Sequence, residues 1–173
     1  KNWHHDIIDI HHMDHFQQTE GLSVLANAVD LLNLDLAKNI SEKALVLEIG
    51  CGVQSLFLEN LKNSDRWEGI DVVEKNSRGQ ETIATKIASV ENIPFDSETF
   101  DCVLSNQSIE HWHEYFVSIT GGLSEIRRVL APHGKAIINF PIHLHGNKIF
   151  VKGNFKRIDK WFADAGLEIT KKT

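Results

Sequence analysis

The sequence predicts an α/β fold built on a mostly parallel sheet with helices on both faces. Three observations carry that reading. Short apolar runs alternate with stretches of helical periodicity from residue 44 to residue 170. Glycine and proline punctuate the junctions, with Gly50, Gly52, Pro132, Gly134 and Gly166 at the ends of elements. The length, 173 residues, suits one buried core. Strands that alternate with helices pair in parallel through right-handed crossovers, because a parallel pair needs a long connection that packs back on the sheet. A single domain over 1–173 is therefore expected, with an N-terminal helical cap at 1–40 and an α/β core at 41–173.

Residues 1–20 are polar and rich in histidine: His4, His5, His11, His12 and His15 lie among Asp6, Asp9 and Asp14. His11 and His15, four apart, share a helix face as two metal ligands do. Trp3, Ile7, Ile8 and Ile10 on the same segment fit a solvated amphipathic lid better, and no metal is expected. From Gly21, the residues Leu22, Leu25, Ala26, Val29, Leu32 and Leu36 recur at spacings of three and four, a helix that breaks at 39–42. Ala44-Leu45-Val46-Leu47-Glu48-Ile49 is a short apolar run closed by Gly50 and reads as a buried strand.

Leu56, Phe57 and Leu61 mark a helix over 54–63, and 67–73 is a second strand. A poor short helix from 77 precedes a strand at 85–89. The segment 100–104 is a strand, 121–130 a helix closed by Pro132 and Gly134, and 135–140 the next strand. An amphipathic helix over 156–165 and a strand beginning at 167–170 complete the alternation.

Composition removes several classes of function. Apolar residues are 42% and charged residues 24%, which excludes disordered and collagen-like chains. Eighteen Lys and Arg against 24 Asp and Glu leave a net charge of −6, whereas phosphate-backbone binding needs clustered cations; no nucleic-acid partner is expected. No apolar run approaches the roughly 18 residues of a membrane span, and no basic-then-apolar signal opens the chain. No membrane partner and a cytoplasmic location are expected. Two cysteines, Cys51 and Cys102, make no disulfide framework and fit a reducing compartment.

The chemistry concentrates at Leu47-Glu48-Ile49-Gly50-Cys51-Gly52, a strand that runs into a Gly-x-Gly turn. In such folds ligands bind outside the carboxyl ends of the strands. Glycines there let the backbone turn tightly and approach a ligand closely. Asp71 ends the second strand, 19 positions beyond Gly52, where a carboxylate can accept hydrogen bonds from both hydroxyls of a ribose. A nucleoside-containing ligand is predicted. A dinucleotide site prefers a third glycine where this chain has Ser55. Glu48 beside the turn would repel a pyrophosphate and attract a cationic sulfur.

On these residues the chain, from about 45 to 170, resembles the class I S-adenosylmethionine-dependent methyltransferases. Glu48, Gly50 and Gly52, with Cys51 inside the turn, occupy the family's glycine motif; Gln54 stands where a further glycine is common. Asp71, in Gly69-Ile70-Asp71-Val72, matches the ribose-binding acid. Ser89-Val90-Glu91, ahead of Asn92-Ile93-Pro94-Phe95, resembles the segment that frames the adenine, with Ser89 in place of the usual aspartate. Phe100 to Asn106 resembles the fourth strand, and Ile109-Glu110-His111-Trp112 the turn after it. Glu125 to Leu130 followed by Pro132-His133-Gly134 resembles the helix and turn before strand five.

The resemblance implies a Rossmann-like methyltransferase fold, S-adenosylmethionine as cofactor, S-adenosylhomocysteine as product and a small-molecule acceptor. It implies that Asn106 and Gln107 hold the cofactor's methionine end and that the N-terminal cap covers the site. The family's sheet closes with an antiparallel seventh strand that has no counterpart after Thr170. Either the chain is truncated at its C-terminus or that edge is built differently; Lys1 in place of an initiating methionine fits a fragment.

Methyl transfer to a hydroxyl needs a base within hydrogen-bond reach. Three histidines follow strands at the carboxyl edge: His111, and His143 and His145, which share a side if strand five continues. Trp112, Tyr115 and Phe116 are candidates to line an acceptor pocket. Ser105-Asn106-Gln107-Ser108 lacks the Pro-Pro-aromatic motif of enzymes that methylate base amines, so an oxygen nucleophile on a polar or sugar-like metabolite is expected. The competing readings are a dinucleotide-dependent oxidoreductase and a non-catalytic cofactor-binding relative.

Overall fold

The computed structural model describes residues 35–142, 144–145 and 150–170. These fall into two compact units, 35–40 with 56–62 and 41–55 with 63 onward. In the first unit residues 35–39 are helical, and helix α1 (Leu56–Asn60) buries Phe57. The histidine-rich segment 1–20, the helix expected from Gly21 and most of the 1–40 cap lie outside the described residues.

The second unit is built on five strands: β1 (Val46–Ile49), β2 (Trp67–Asp71), β3 (Lys86–Ile87), β4 (Phe100–Asn106) and β5 (Leu130–Asn139). They pair in the order β3-β2-β1-β4-β5, every neighbour parallel. The chain leaves β1 toward β2 and β3 and then returns to build β4 and β5 on the other side. The order thus reverses between β1 and β4, where the crevice of an open α/β sheet forms.

Period-two alternation assigns the faces. Leu47 and Ile49 of β1, Ile70 of β2 and Val103 of β4 join one core with Leu123, Ile126 and Val129 of helix α2 (Ile119–Val129). Helix α3 (Phe155–Asp164) adds Trp161 and Phe162 at the edge of that core and packs on α2. Both helices start on side-chain caps: Ser118 Oγ accepts from Gly121 N at 3.0 Å, and Asn154 Oδ1 from Arg157 N at 2.9 Å.

Several boundaries differ from the sequence expectation. Helix α2 opens two residues before Gly121, because Ser118 is its cap. Strand β5 begins at the helix end and carries Pro132 and Gly134 inside a bulge, with His133 at φ 66°. Pairing passes from Phe100 with Leu130 to Cys102 with Lys135, so 131–134 loop out of register. No helix forms over 77–84. Asn76 Oδ1 accepts there from Arg78 N and Gln80 N, a side-chain turn that competes with helix. The strand expected at 167–170 is irregular chain: Gly166, at φ +74°, ends α3 with Leu167 N donating back to Phe162 O. Strand β5 stops at Asn139, and β6 (Leu144–His145) instead pairs antiparallel with β7 (Phe150–Val151).

Candidate functional site

A cleft opens at the carboxyl edge of the parallel sheet, over the reversal between β1 and β4. Its floor is Ile49 and Gly50 from the end of β1. Ile70, Asp71 and Val72 after β2 form one wall, continued by Ala88, Ser89 and Val90 after β3. The opposite wall is Gln107 and Ser108 after β4 with His111, Trp112, Tyr115 and Val117. Of the residues singled out in the sequence, the fold brings together Gly50, Asp71, Val72, Ser89, Val90, Gln107 and His111.

The turn at Gly50 is a close approach that only glycine permits. Its φ is +68°, and a Cβ there would lie 2.5 Å from Ser108 Oγ. Gly50 N donates to Ile70 O at 2.9 Å, tying the turn to β2. Gly52 N donates to Asp71 Oδ2 at 3.0 Å and Val73 N to Asp71 Oδ1 at 3.2 Å. Both Asp71 oxygens are therefore oriented by backbone donors, and each keeps lone-pair capacity toward the cleft.

Glu48 and Cys51 lie outside the cleft lining. Glu48 alternates away from Leu47 and Ile49 and is 4% exposed. Its Oε2 accepts from Ser55 Oγ at 2.5 Å and from the Trp67 indole N–H at 3.0 Å. Burial raises its pKa above the ordinary carboxylate value, against the lowering effect of those two hydrogen bonds. The charge selection expected of Glu48 at the turn is corrected accordingly: its carboxyl is held between Ser55 and Trp67, and the carboxylate that lines the cleft is Asp71. The Cys51 thiol is buried and pushed up to about 12, by burial first and then by the neighbouring Glu48 and Asp71, so it stays protonated. Cys102, equally buried in β4, is likewise pushed up to about 12.

Glu91 also leaves the lining: its Oε1 accepts from Ser118 N and Ser118 Oγ, both at 2.9 Å, at the start of α2. Ser89, beside it, lines the cleft and accepts from Glu91 N at 3.3 Å. Asn106 sits at the end of β4 with its Oδ1 buried and without a hydrogen-bond partner, and Ser105 Oγ nearby is in the same state. Gln107, at φ +50°, reaches across to β5, its Nε2 donating to Asn139 Oδ1 at 2.8 Å.

His111 stands on the 3-10 segment Ile109–Tyr115 with its ring about half exposed, and its Nδ1 is 3.3 Å from Glu114 Oε1. Trp112 and Tyr115 line the cleft, whereas Phe116 is 95% exposed and left-handed at φ +62°. His143 lies outside the described residues. His145 falls in β6, which packs against the segment that carries His111. Ser108 was not singled out in the sequence. It bridges the site by receiving the Trp112 indole N–H at 3.0 Å beneath Gly50, and no local pattern marks that contact.

A family model described as methyltransferase domain matches residues 47–138. Among curated proteins, the zebrafish mitochondrial arginine-hydroxylase NDUFAF5 is 30% identical over 140 residues, 78% of this chain and 40% of that protein. The Escherichia coli protein YafE is 34% identical over 71 residues, 40% of this chain and 32% of that protein. The chain thus spans about a third to two-fifths of the length of these relatives. The fold matches Burkholderia thailandensis 1,6-didemethyltoxoflavin-N1-methyltransferase, solved with 1,6-didemethyltoxoflavin and S-adenosylhomocysteine, at a TM-score of 0.54 and 18% identity, over 90% of this chain and 78% of that one.

Proposed function

The chain belongs to the methyltransferase-domain family, and from that premise we propose that its cleft binds S-adenosylmethionine and delivers the methyl group to an oxygen nucleophile on a small polar or sugar-like metabolite. The observation that carries this reading is the convergence of the Gly50 turn, Asp71 and the Ser89–Val90 wall on one cleft at the strand ends. The residues fit the cofactor. Asp71 lines the cleft with both carboxylate oxygens oriented by backbone donors and able to accept from hydroxyls. Asn106 Oδ1, buried without a hydrogen-bond partner at the end of β4 beside the cleft residue Gln107, is an acceptor still to be satisfied.

When bound, S-adenosylmethionine supplies a methyl group on a positively charged sulfur that is already a good leaving group. What remains for the protein is alignment and, for a hydroxyl acceptor, removal of a proton. Asp71, its oxygens fixed by Gly52 N and Val73 N, accepts the two ribose hydroxyls. Asn106 and Gln107 hold the methionine end. His111 takes the acceptor's proton at Nε2 while Nδ1 faces Glu114, with His143 and His145 as further candidates for the base. Trp112 and Tyr115 supply the apolar wall against which an acceptor is oriented.

Two measurements test this. Incubation with methyl-labelled cofactor and pools of hydroxyl-bearing metabolites should move label into an acceptor, and less so with His111→Ala; label confined to amine acceptors would reject the oxygen assignment. In titration calorimetry Asp71→Ala should weaken S-adenosylhomocysteine binding by about 1.5–3 kcal/mol, the value of a charge-assisted hydrogen bond. Unchanged affinity would mean that the ribose lies elsewhere. A second reading follows the zebrafish relative, named an arginine hydroxylase and similar over 78% of this chain. A hydroxylated product with no label transferred would favour it.

A further inference from the structure

The cleft wall formed by Ala88, Ser89 and Val90 belongs to an irregular stretch between β3 and β4, which is tied to β2 by Ala88 N donating to Asp71 O at 2.8 Å and leaves the sheet after that. Beyond Ala88 its backbone is anchored to helix α2, while Val90 and Ile93 pack into the core. Arg128 Nε and Nη2 pair with Glu125 Oε1 and Oε2 at 2.7 and 2.8 Å. The remaining donors reach the stretch itself, Nη2 to Ile93 O at 2.8 Å and Nη1 to Phe95 O at 2.9 Å, with Ser97 Oγ at 3.4 Å. Glu125 Oε2 in turn accepts from Ile93 N at 3.0 Å. The guanidinium thus spends its fork on one carboxylate, two backbone carbonyls and the Ser97 hydroxyl, a planar arrangement that an ammonium cannot copy. At the other end of α2, Ser118 holds Glu91.

We propose that the Glu125–Arg128 fork is a positioning element for nucleoside binding: it fixes the Ile93 and Phe95 backbone to α2 and so sets where Ser89 and Val90 stand in the cleft. The inference rests on the reading of the cleft as the site of S-adenosylmethionine. Neither side chain lines the cleft, so neither touches the ligand and both act through the wall. A clip that only stabilised the fold would alter melting and leave the folded protein's affinity alone.

The test compares the unmodified chain with Arg128→Lys and Glu125→Gln, using S-adenosylhomocysteine and adenosine as probes in titration calorimetry, alongside thermal melting and initial rates. The expected result is about a tenfold weaker binding of both probes in each variant. The KM for S-adenosylmethionine should rise in parallel, with kcat at saturating cofactor within about twofold. Adenosine is the discriminating probe, because it carries the nucleoside without the amino-acid end. Equal affinities beside a lowered melting temperature would overturn the proposal, as would a loss confined to S-adenosylhomocysteine with adenosine unaffected. Should Arg128→Lys fail to fold, Glu125→Gln, which keeps one acceptor for Arg128, carries the same comparison. Failure of the unmodified chain to bind either probe would sink the reading of the cleft itself, a result distinct from all of these.

Discussion

At the scale of single residues, buried polar groups are defined by their partners more than by their type. Glu48 occupies a motif position where a charge beside the ligand was expected, yet strand alternation turns it to the face where Trp67 and Ser55 meet it. Sequence supplies the carboxyl and its place on β1; the direction of the side chain depends on what the neighbouring strand presents. Replacing Glu48 by Gln keeps an acceptor for the Trp67 indole, whereas Glu48→Leu leaves that buried N–H unpaired. Urea unfolding should show Glu48→Leu destabilised by about 1–3 kcal/mol and Glu48→Gln little changed. Asp71 shows the converse: its place after β2 was legible because the strand end fixes it and the Gly-x-Gly turn supplies the matching donor.

At the scale of elements, the site is assembled by close approaches that alternate glycine with a bulky or polar partner. A Cβ on Gly122 would lie 2.5 Å from the Trp112 ring, Trp112 donates to Ser108 Oγ, and Ser108 sits under Gly50. Helix α2 carries a glycine at that point although alanine would favour the helix by about 1 kcal/mol. Gly122→Ala should therefore destabilise despite its better propensity, by about 1–3 kcal/mol as an overpacked core does. It should also weaken S-adenosylhomocysteine binding, because Trp112 lines the cleft. Chemical denaturation and calorimetry on one preparation check both effects. The glycine pair explains the displaced helix start as well: Gly121 looks like a boundary in sequence, whereas the cap is Ser118, set by its bond to Gly121 N.

At the scale of the molecule, two carboxyls give the stability curve slopes of opposite sign. The Glu125 pKa lies below its ordinary value, mainly through its hydrogen bonds to Arg128, so the unfolded chain binds the extra proton. Its contribution is present above the unfolded pKa near 4.5 and is lost as pH falls through the folded value. The Glu48 pKa is raised by burial, so its contribution is present below the unfolded pKa and is lost as pH rises through the folded value. Melting temperature should fall on acidification below about pH 4.5, where Glu125→Gln flattens the loss, and Glu48→Gln should remove part of the decline toward neutral pH. Scanning fluorimetry across pH 3–8 on the three proteins checks both signs. Among the described residues no helix is long and apolar enough to cross a membrane.

The sequence by itself determined the parallel α/β class, the strands that carry the cleft, and the Gly50 turn and Asp71 at the carboxyl ends of two of them. Each of these follows from periodicity or from a glycine turn, properties that a short stretch of chain contains within itself. Only the tertiary structure decided that Glu48 faces Trp67 and that Glu91 and Arg128 tie the stretch after β3 to α2. It also ended strand five at Asn139, and it brought Ser108 beneath the glycine turn. These contacts join residues tens of positions apart, and their partners are chosen by strand order and helix packing, which no local pattern encodes.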